Sequence, residues 1–82
     1  MEKSFNLKLE NGNNVRATFI KTKSASLHYG NCTVTNLYID SEFRTSFDTR
    51  FNTEVNTITG FNNWCWNMIK SLTRPTVIIT EI

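Results

Sequence analysis

The chain has 82 residues, of which 39% are hydrophobic and 12% aromatic, and its formal net charge at pH 7 is +2. A chain of this length buries only about 60–65% of the surface of its unfolded state, which supports one core but not two. We therefore expect residues 1–82 to form a single small domain. The mild charge excludes the strongly basic composition of dedicated nucleic-acid-binding domains, which have a pI above about 9.

Alternating apolar and polar residues indicate two antiparallel strands at the start of the chain. Apolar residues occupy the odd positions of 5–10 and again of 15–19. A two-residue Asn-Gly turn between them would set apolar residues against polar ones, so we expect an odd-length loop centred on Gly12. The strand pairs that this loop predicts are Leu9 with Val15, Leu7 with Ala17 and Phe5 with Phe19.

The second strand region continues through 24–29, and Gly30–Asn31 suits a tight hairpin turn. A third strand then runs from Cys32 to Ile39. The pairs predicted across this turn are Tyr29 with Cys32 and Leu27 with Val34. Because Val34 and Leu37 have opposite parity, both can face the core only if a bulge near Thr35 or Asn36 switches the face.

A turn at Asp40-Ser41-Glu42 leads into a fourth strand over residues 43–51. The pairs that this turn predicts are Ile39 with Phe43 and Leu37 with Thr45. In the fourth strand, apolar and polar residues are again interleaved. We expect Phe43, Phe47 and Phe51 to point inward, and Arg44 and Arg50 to point outward.

A helix is predicted from Thr57 to Leu72, with Asn56 or Thr57 as its cap, and Pro75 ends it. The apolar residues that recur at three- and four-residue steps are Ile58, Phe61, Cys65, Met68, Ile69 and Leu72. The chain closes with a fifth strand, 76–82, whose run of apolar residues favours an inner position parallel to the first strand. The predicted fold is α+β, a single mainly antiparallel sheet (β-β-β-β-α-β) with one helix packed on one face.

The sheet face without the helix is the first candidate for partner binding. The predicted pairings set Lys8 opposite Arg16 and Tyr38 across from Arg44, with Arg50 further along. Like charges that oppose each other cost about 0.2–1 kcal/mol per pair unless solvent screens them or a partner supplies an anion. The alternative is that these cations only solvate the exposed face of the sheet and bind no partner.

Trp66 is a second candidate, because it lies roughly 110° from the centre of the helical stripe. An exposed Trp is a common interface anchor. The alternative is that its ring folds over the edge of the helix onto a neighbouring strand.

No constellation of catalytic residues is recognisable, so we expect no enzymatic activity, no cofactor and no metal site. His28 is the only histidine, and its parity differs from that of Leu27 and Tyr29, so it is expected to point away from the core. Cys32 and Cys65 are too far apart for a CxxC motif, and reduced, buried thiols are expected. Since the chain shows no signal core and no membrane span, a cytoplasmic location is expected.

These observations favour a non-catalytic binding protein. The Asn-, Thr- and Lys-rich composition is typical of an AT-rich genome, so we expect an inhibitor of phage or mobile-element origin. It would occupy and block a surface of a host macromolecule, such as a nucleic-acid-handling or defence enzyme, in the host cytoplasm. Two alternatives stay open: a small RNA- or DNA-binding module that uses the basic sheet face, and a homodimeric structural or interaction protein.

Overall fold

The computed structural model describes residues 1–26 and 30–82, and side chains within 1–22 and 33–82. These residues form five strands, a short 3₁₀-helix and one α-helix, α1. Their bounds are β1 Glu2–Lys8, β2 Asn14–Ser26, β3 Gly30–Ile39, β4 Glu42–Asp48, the 3₁₀-helix Thr53–Asn56, α1 Ile58–Leu72 and β5 Ile78–Glu81. The sheet order is β4-β3-β2-β1-β5 with every neighbouring pair antiparallel, which confirms the predicted α+β fold. Within the described ranges, no helix is both long enough and apolar enough to cross a bilayer.

The loop between β1 and β2 has odd length, as predicted, but the predicted strand pairs are wrong by two residues. Phe5 lies opposite Ala17, and Leu7 lies opposite Val15. The loop closes early because Gly12 adopts a φ of 85°, in the left-handed region that favours glycine. The Gly12 N–H then donates to the Leu9 carbonyl at 3.0 Å. The buried face keeps its parity, so the core is unchanged by this shift.

Strands β2 and β3 pair in a different register from the one that the sequence predicts. Gly30 and Asn31 are not a turn, because they lie in β3 opposite Ser26 and Ala25. The predicted partners of two further residues are also wrong: Cys32 lies opposite Ser24 instead of Tyr29, and Val34 opposite Thr22 instead of Leu27. The longer ladder satisfies more backbone groups than the predicted turn would. The orientation predicted for His28 lies outside the described residues.

The β3–β4 hairpin contains a bulge, but the bulge lies in β4 and not in β3, where it was predicted. Asp40 and Ser41 have φ values of 50° and 69°, which make a two-residue turn, so Ile39 pairs with Glu42 and not with Phe43. The register shifts between Leu37 and Tyr38, and the predicted pair of Leu37 with Thr45 is confirmed. Since Tyr38 pairs with Phe43 and Leu37 with Thr45, the extra residue is Arg44 of β4. The bulge predicted near Thr35 or Asn36 of β3 is therefore wrong.

The bulge decides which phenylalanines are buried. Phe47 packs against the core as predicted, but Phe43 is 57% exposed because it lies on the far side of the bulge. Phe51 follows the end of β4 and is 85% exposed. The prediction that all three point inward is therefore right for Phe47 alone.

Helix α1 begins where the sequence predicts, because the Thr57 hydroxyl caps it by accepting from the Gly60 N–H at 3.0 Å. The middle of the predicted apolar stripe is buried, namely Phe61, Cys65 and Ile69. Its two ends, Ile58 and Leu72, are 73% and 53% exposed. The helix therefore covers the sheet with its central turns.

The core lies between α1 and the central strands. Phe19 is fully buried and makes edge-to-face contacts with Phe5 at 6.3 Å and with Trp64 at 5.7 Å between ring centroids. Strand β5 does not take the predicted inner, parallel position. It lies at the edge of the sheet, antiparallel to β1, and Ile79 is opposite Leu7. Within β5, Ile79 points to the helix side and packs against the core.

Candidate binding face

The sheet has a face that α1 does not cover, and its position follows from strand alternation. Since Phe5, Ala17 and Phe19 are buried under the helix, their strand neighbours point the other way. We call this side the open face; it is formed by Ser4, Asn6, Lys8, Arg16, Thr18, Ile20, Asn36, Tyr38 and Phe43. Two polar side chains of this face are hydrogen-bonded to each other, since the hydroxyls of Ser4 and Thr18 lie 3.0 Å apart.

Arg16 and Tyr38 lie together on the open face. Both line a shallow depression of about 260 Å³, whose other walls are Glu2, Thr18, Ile20 and Ser41. The backbone of Arg16 is held from the neighbouring turn: its N–H donates to Asp40 Oδ1 at 2.9 Å, and its carbonyl accepts from the Asp40 N–H at 2.8 Å. The depression therefore combines a cation, an aromatic ring and hydroxyl groups on a fixed backbone.

Phe43 extends this site with a second aromatic ring, which the sequence prediction missed. The rings of Tyr38 and Phe43 contact edge to face, with centroids 5.9 Å apart and an interplanar angle of 73°. Phe43 reaches the open face only because of the two-residue turn and the bulge at Arg44. The signal in the sequence is the pair Asp40-Ser41, which two-residue hairpin turns accept.

The other predicted cations do not gather at the depression. Lys8 lies opposite Asn14, and Asn6 takes the place opposite Arg16, so the predicted opposition of Lys8 and Arg16 is wrong. Arg44 is exposed in the bulge. The prediction that it lies across from Tyr38 is wrong, because Tyr38 pairs with Phe43. The two-residue shift of the first hairpin and the bulge of the second are the physical reasons.

Arg50 is engaged near the end of β4. Its guanidinium lies 3.0 Å from Asp48 Oδ2 and 5.0 Å from the centre of the Phe51 ring. Its backbone N–H also donates to Asp48 Oδ1 at 3.2 Å. Much of the charge of Arg50 is thus balanced locally, and a role of Arg50 in partner binding stays a prediction.

Trp66 follows the alternative weighed from the sequence, because its ring folds onto a strand. The ring centroid lies 4.9 Å from that of Phe5, and the Lys70 ammonium lies 5.3 Å from the ring. The side chain is half-buried. A role of Trp66 in partner binding stays a prediction.

Cys65 is the one thiol whose side chain falls in the described ranges, and it is fully buried in the core. Burial raises the pKa of this thiol from 9.0 to about 12, and the nearby Lys3 ammonium offsets only part of that rise. The thiol is therefore neutral at physiological pH and a poor nucleophile. Among the described residues, no three His, Cys, Asp or Glu side chains are grouped as metal ligands would be.

Comparison with protein-family models finds no match for this chain, and comparisons with curated proteins and with solved structures find none either.

Proposed function

We propose that this chain is a non-catalytic binding protein that docks on an acidic surface of a partner protein through its open face. One observation carries the proposal. Tyr38, which lines a depression with Arg16, contacts the exposed ring of Phe43 on a sheet face that α1 leaves uncovered.

The chemistry of this site matches the centre of a protein interface. Tyr and Arg are enriched among the residues that dominate binding energy, and aromatic residues are enriched in interface cores. Phe43 is 57% exposed in a strand position where a polar residue would serve a solvated face better. Its ring would leave water on binding, at about 25 cal/mol per Å² of apolar surface.

The site is also rigid, which lowers the entropy lost on binding. Tyr38 and Phe43 are paired across two hydrogen-bonded strands, and Asp40 holds the backbone of Arg16. A backbone held in this way loses little conformational freedom when a partner arrives. A small rigid body of this kind is suited to occupying and blocking a surface of a larger macromolecule.

The charges favour a protein partner over nucleic acid. Glu2 lines the same depression as Arg16, so the depression itself carries one cation and one anion. Lys8 and Arg44 lie away from the depression, and Arg50 is paired with Asp48. The cations therefore do not form the continuous basic stripe that follows a nucleic-acid backbone. Arg16 suits a carboxylate on a protein, which would also steer association.

The inhibitory role and the phage or mobile-element origin rest on composition and size, and we carry them as part of the same proposal. The target would be a host protein in the cytoplasm, such as an enzyme that handles nucleic acid or acts in defence. The site predicts the location of the contact on this chain.

The test compares two matched substitutions, Phe43→Ser on the open face and Phe51→Ser away from it. Both remove an exposed phenylalanine, and Phe51 is the more exposed of the two. A protein captured from host lysate by the unchanged chain is purified, and its affinity for each variant is measured by calorimetry. We expect Phe43→Ser to weaken binding roughly 30-fold, as for an anchor worth about 2 kcal/mol. Phe51→Ser should leave the affinity unchanged, and equal effects of both would contradict the proposal.

A second arm tests the nucleic-acid alternative. Anisotropy of labelled single-stranded RNA, single-stranded DNA and duplex DNA is measured across a salt series, with the triple variant of Lys8, Arg16 and Arg44 to Glu beside it. We expect no binding at moderate salt. Binding that falls linearly with log salt and is lost in the triple variant would replace the protein partner with a nucleic acid.

A further inference from the structure

The two edges of the sheet differ in how they are protected. The outer edge of β4 carries the bulge at Arg44, and the charged residues Glu42 and Asp48 lie along it. These are devices by which proteins prevent pairing at an edge. Strand β5 is the other edge; it contains no bulge and no proline, and its one charged residue is Glu81. It also exposes Ile78, and Ile82 just beyond it, each at 60%.

The backbone groups that β5 leaves unpaired can be identified from its bond to β1. The Ile82 N–H donates to the Ser4 carbonyl at 3.1 Å, so the backbone of Ile82 faces β1. In an antiparallel ladder both polar groups of a residue point to the same side, and the side alternates along the strand. The backbone N–H and C=O groups of Thr80 and Ile78 therefore also point to β1. Those of Ile79 and Glu81 point out from the edge.

We propose that β5 pairs with β5 of a second copy of this chain, antiparallel across a two-fold axis that passes between the two Thr80 residues. In this register Ile79 lies opposite Glu81 of the other copy, and the same pair recurs on the other side of the axis. All the outward N–H and C=O groups of Ile79 and Glu81 are then satisfied by four hydrogen bonds. A shift by one residue would oppose outward groups to inward ones.

The side chains agree with this register on both faces. On the open face, Ile78 lies opposite Ile82 of the other copy, so the exposed isoleucines cover each other in pairs. On the helix face, Glu81 of the other copy comes next to Ile79, beside a groove that Lys70 and Arg74 line. Within its own chain this carboxylate is paired with the Lys3 ammonium, and in the dimer it would lie near two further cations, once in each half.

The dimer does not rest on the proposed function, because no residue of β5 lines the depression of Arg16 and Tyr38. Its interface is a strand edge and falls in the small class, below about 1,200 Å², whose complexes are weak and transient. We therefore expect association that depends on concentration, in a sheet of ten strands that runs through both copies. The failure of either proposal would leave the other standing.

Sedimentation equilibrium from ~10 µM to ~1 mM, the range expected for a small interface, tests association. The variant Glu81→Pro removes an outward N–H of β5. Its matched control is Ser46→Pro, because the Thr49 N–H donates to the Thr33 carbonyl and the Ser46 N–H therefore points out from the other edge. We expect the unchanged chain and Ser46→Pro to approach twice the monomer mass and Glu81→Pro to stay monomeric. A monomer throughout, or equal behaviour of the two proline variants, overturns the proposal.

Disulfide trapping tests the register without relying on a proline. In a Cys32→Ser background, Thr80→Cys is oxidised with oxidised glutathione, which accepts the two electrons and two protons of the paired thiols. Facing residues of a non-hydrogen-bonded pair have Cα atoms about 4.5 Å apart, within the range of a disulfide. Ile78→Cys is the control, because its two copies would lie roughly 13 Å apart along the strands. We expect a covalent dimer from Thr80→Cys alone, and equal yields from both variants would exclude this register.

Discussion

Gly60 stands in the first turn of α1, at a place where a residue with a side chain does not fit. A Cβ atom added there would overlap the carbonyl oxygen of Glu54, in the 3₁₀-helix that precedes α1. The Gly60 N–H also donates to the Thr57 hydroxyl that caps the helix. Gly60 thus allows the 3₁₀-helix and α1 to pack closely, and its backbone angles are not the reason for it.

We predict that Gly60→Ala lowers the free energy of unfolding by about 1–3 kcal/mol, the usual cost of overpacking. The sign is informative, because Gly→Ala within a helix normally stabilises by about 0.5–1 kcal/mol. Urea denaturation followed by circular dichroism measures the change. Ser71→Ala, at an exposed position of the same helix, is the control and should be neutral or stabilising. A stabilising Gly60→Ala would show that the junction is looser than described.

At the scale of elements, the β3–β4 hairpin has the most consequence for the candidate site. Its two-residue turn and its bulge compensate each other, so Leu37 still pairs with Thr45 while Phe43 moves to the open face. Both turn residues have positive φ, which is costly for residues other than glycine. Asp40 recovers part of that cost, because its carboxylate accepts from the Arg16 N–H.

We predict that Ser41→Gly stabilises the protein by about 0.5–1 kcal/mol, because glycine adopts a positive φ without strain. Asp40→Gly, the control in the same turn, should gain nothing or destabilise, since it removes the acceptor of the Arg16 N–H. The midpoints of thermal unfolding of both variants measure the difference. Equal shifts would mean that the carboxylate of Asp40 contributes little to the hairpin.

At the scale of the whole molecule, stability depends on the packing of α1 against the central strands. Phe5, Phe19, Phe61 and Cys65 are all nearly or fully buried there. A titratable group in such a place acts on the stability of the entire fold. The folded protein keeps the proton of Cys65 up to about pH 12, whereas the unfolded chain releases it near 9.0.

We predict that the free energy of unfolding falls as pH rises above 9, because the unfolded state then binds fewer protons than the folded state. Below pH 9 the thiol is protonated in both states and has no such effect. Above it, the slope should exceed that of Cys65→Ala by up to about 1.4 kcal/mol per pH unit. Urea titrations of both proteins between pH 7 and 11 measure this difference. Parallel curves would show that the thiol is not desolvated in the core.

The local features of this protein follow from its sequence alone. The alternation of β1 and β2 and the 3.6-residue period of α1 depend on neighbours within a few residues, so the elements and their buried parity were predictable. The cap at Thr57 and the stop near Pro75 are equally local. For the candidate site, this was enough to place Arg16 and Tyr38 on the face that the helix does not cover.

Which residues meet across the strands depends on the three-dimensional fold. Register depends on how each turn closes, and the positive φ of Gly12 and the bulge at Arg44 each moved it. These shifts separated Lys8 from Arg16 and brought Phe43 beside Tyr38. The edge position of β5 was likewise decided by non-local pairing, because an apolar run such as Val77-Ile78-Ile79 fits an inner strand or an edge that packs one side on a core. The sequence therefore contained the residues of the candidate site, and the pairing of distant strands made them neighbours.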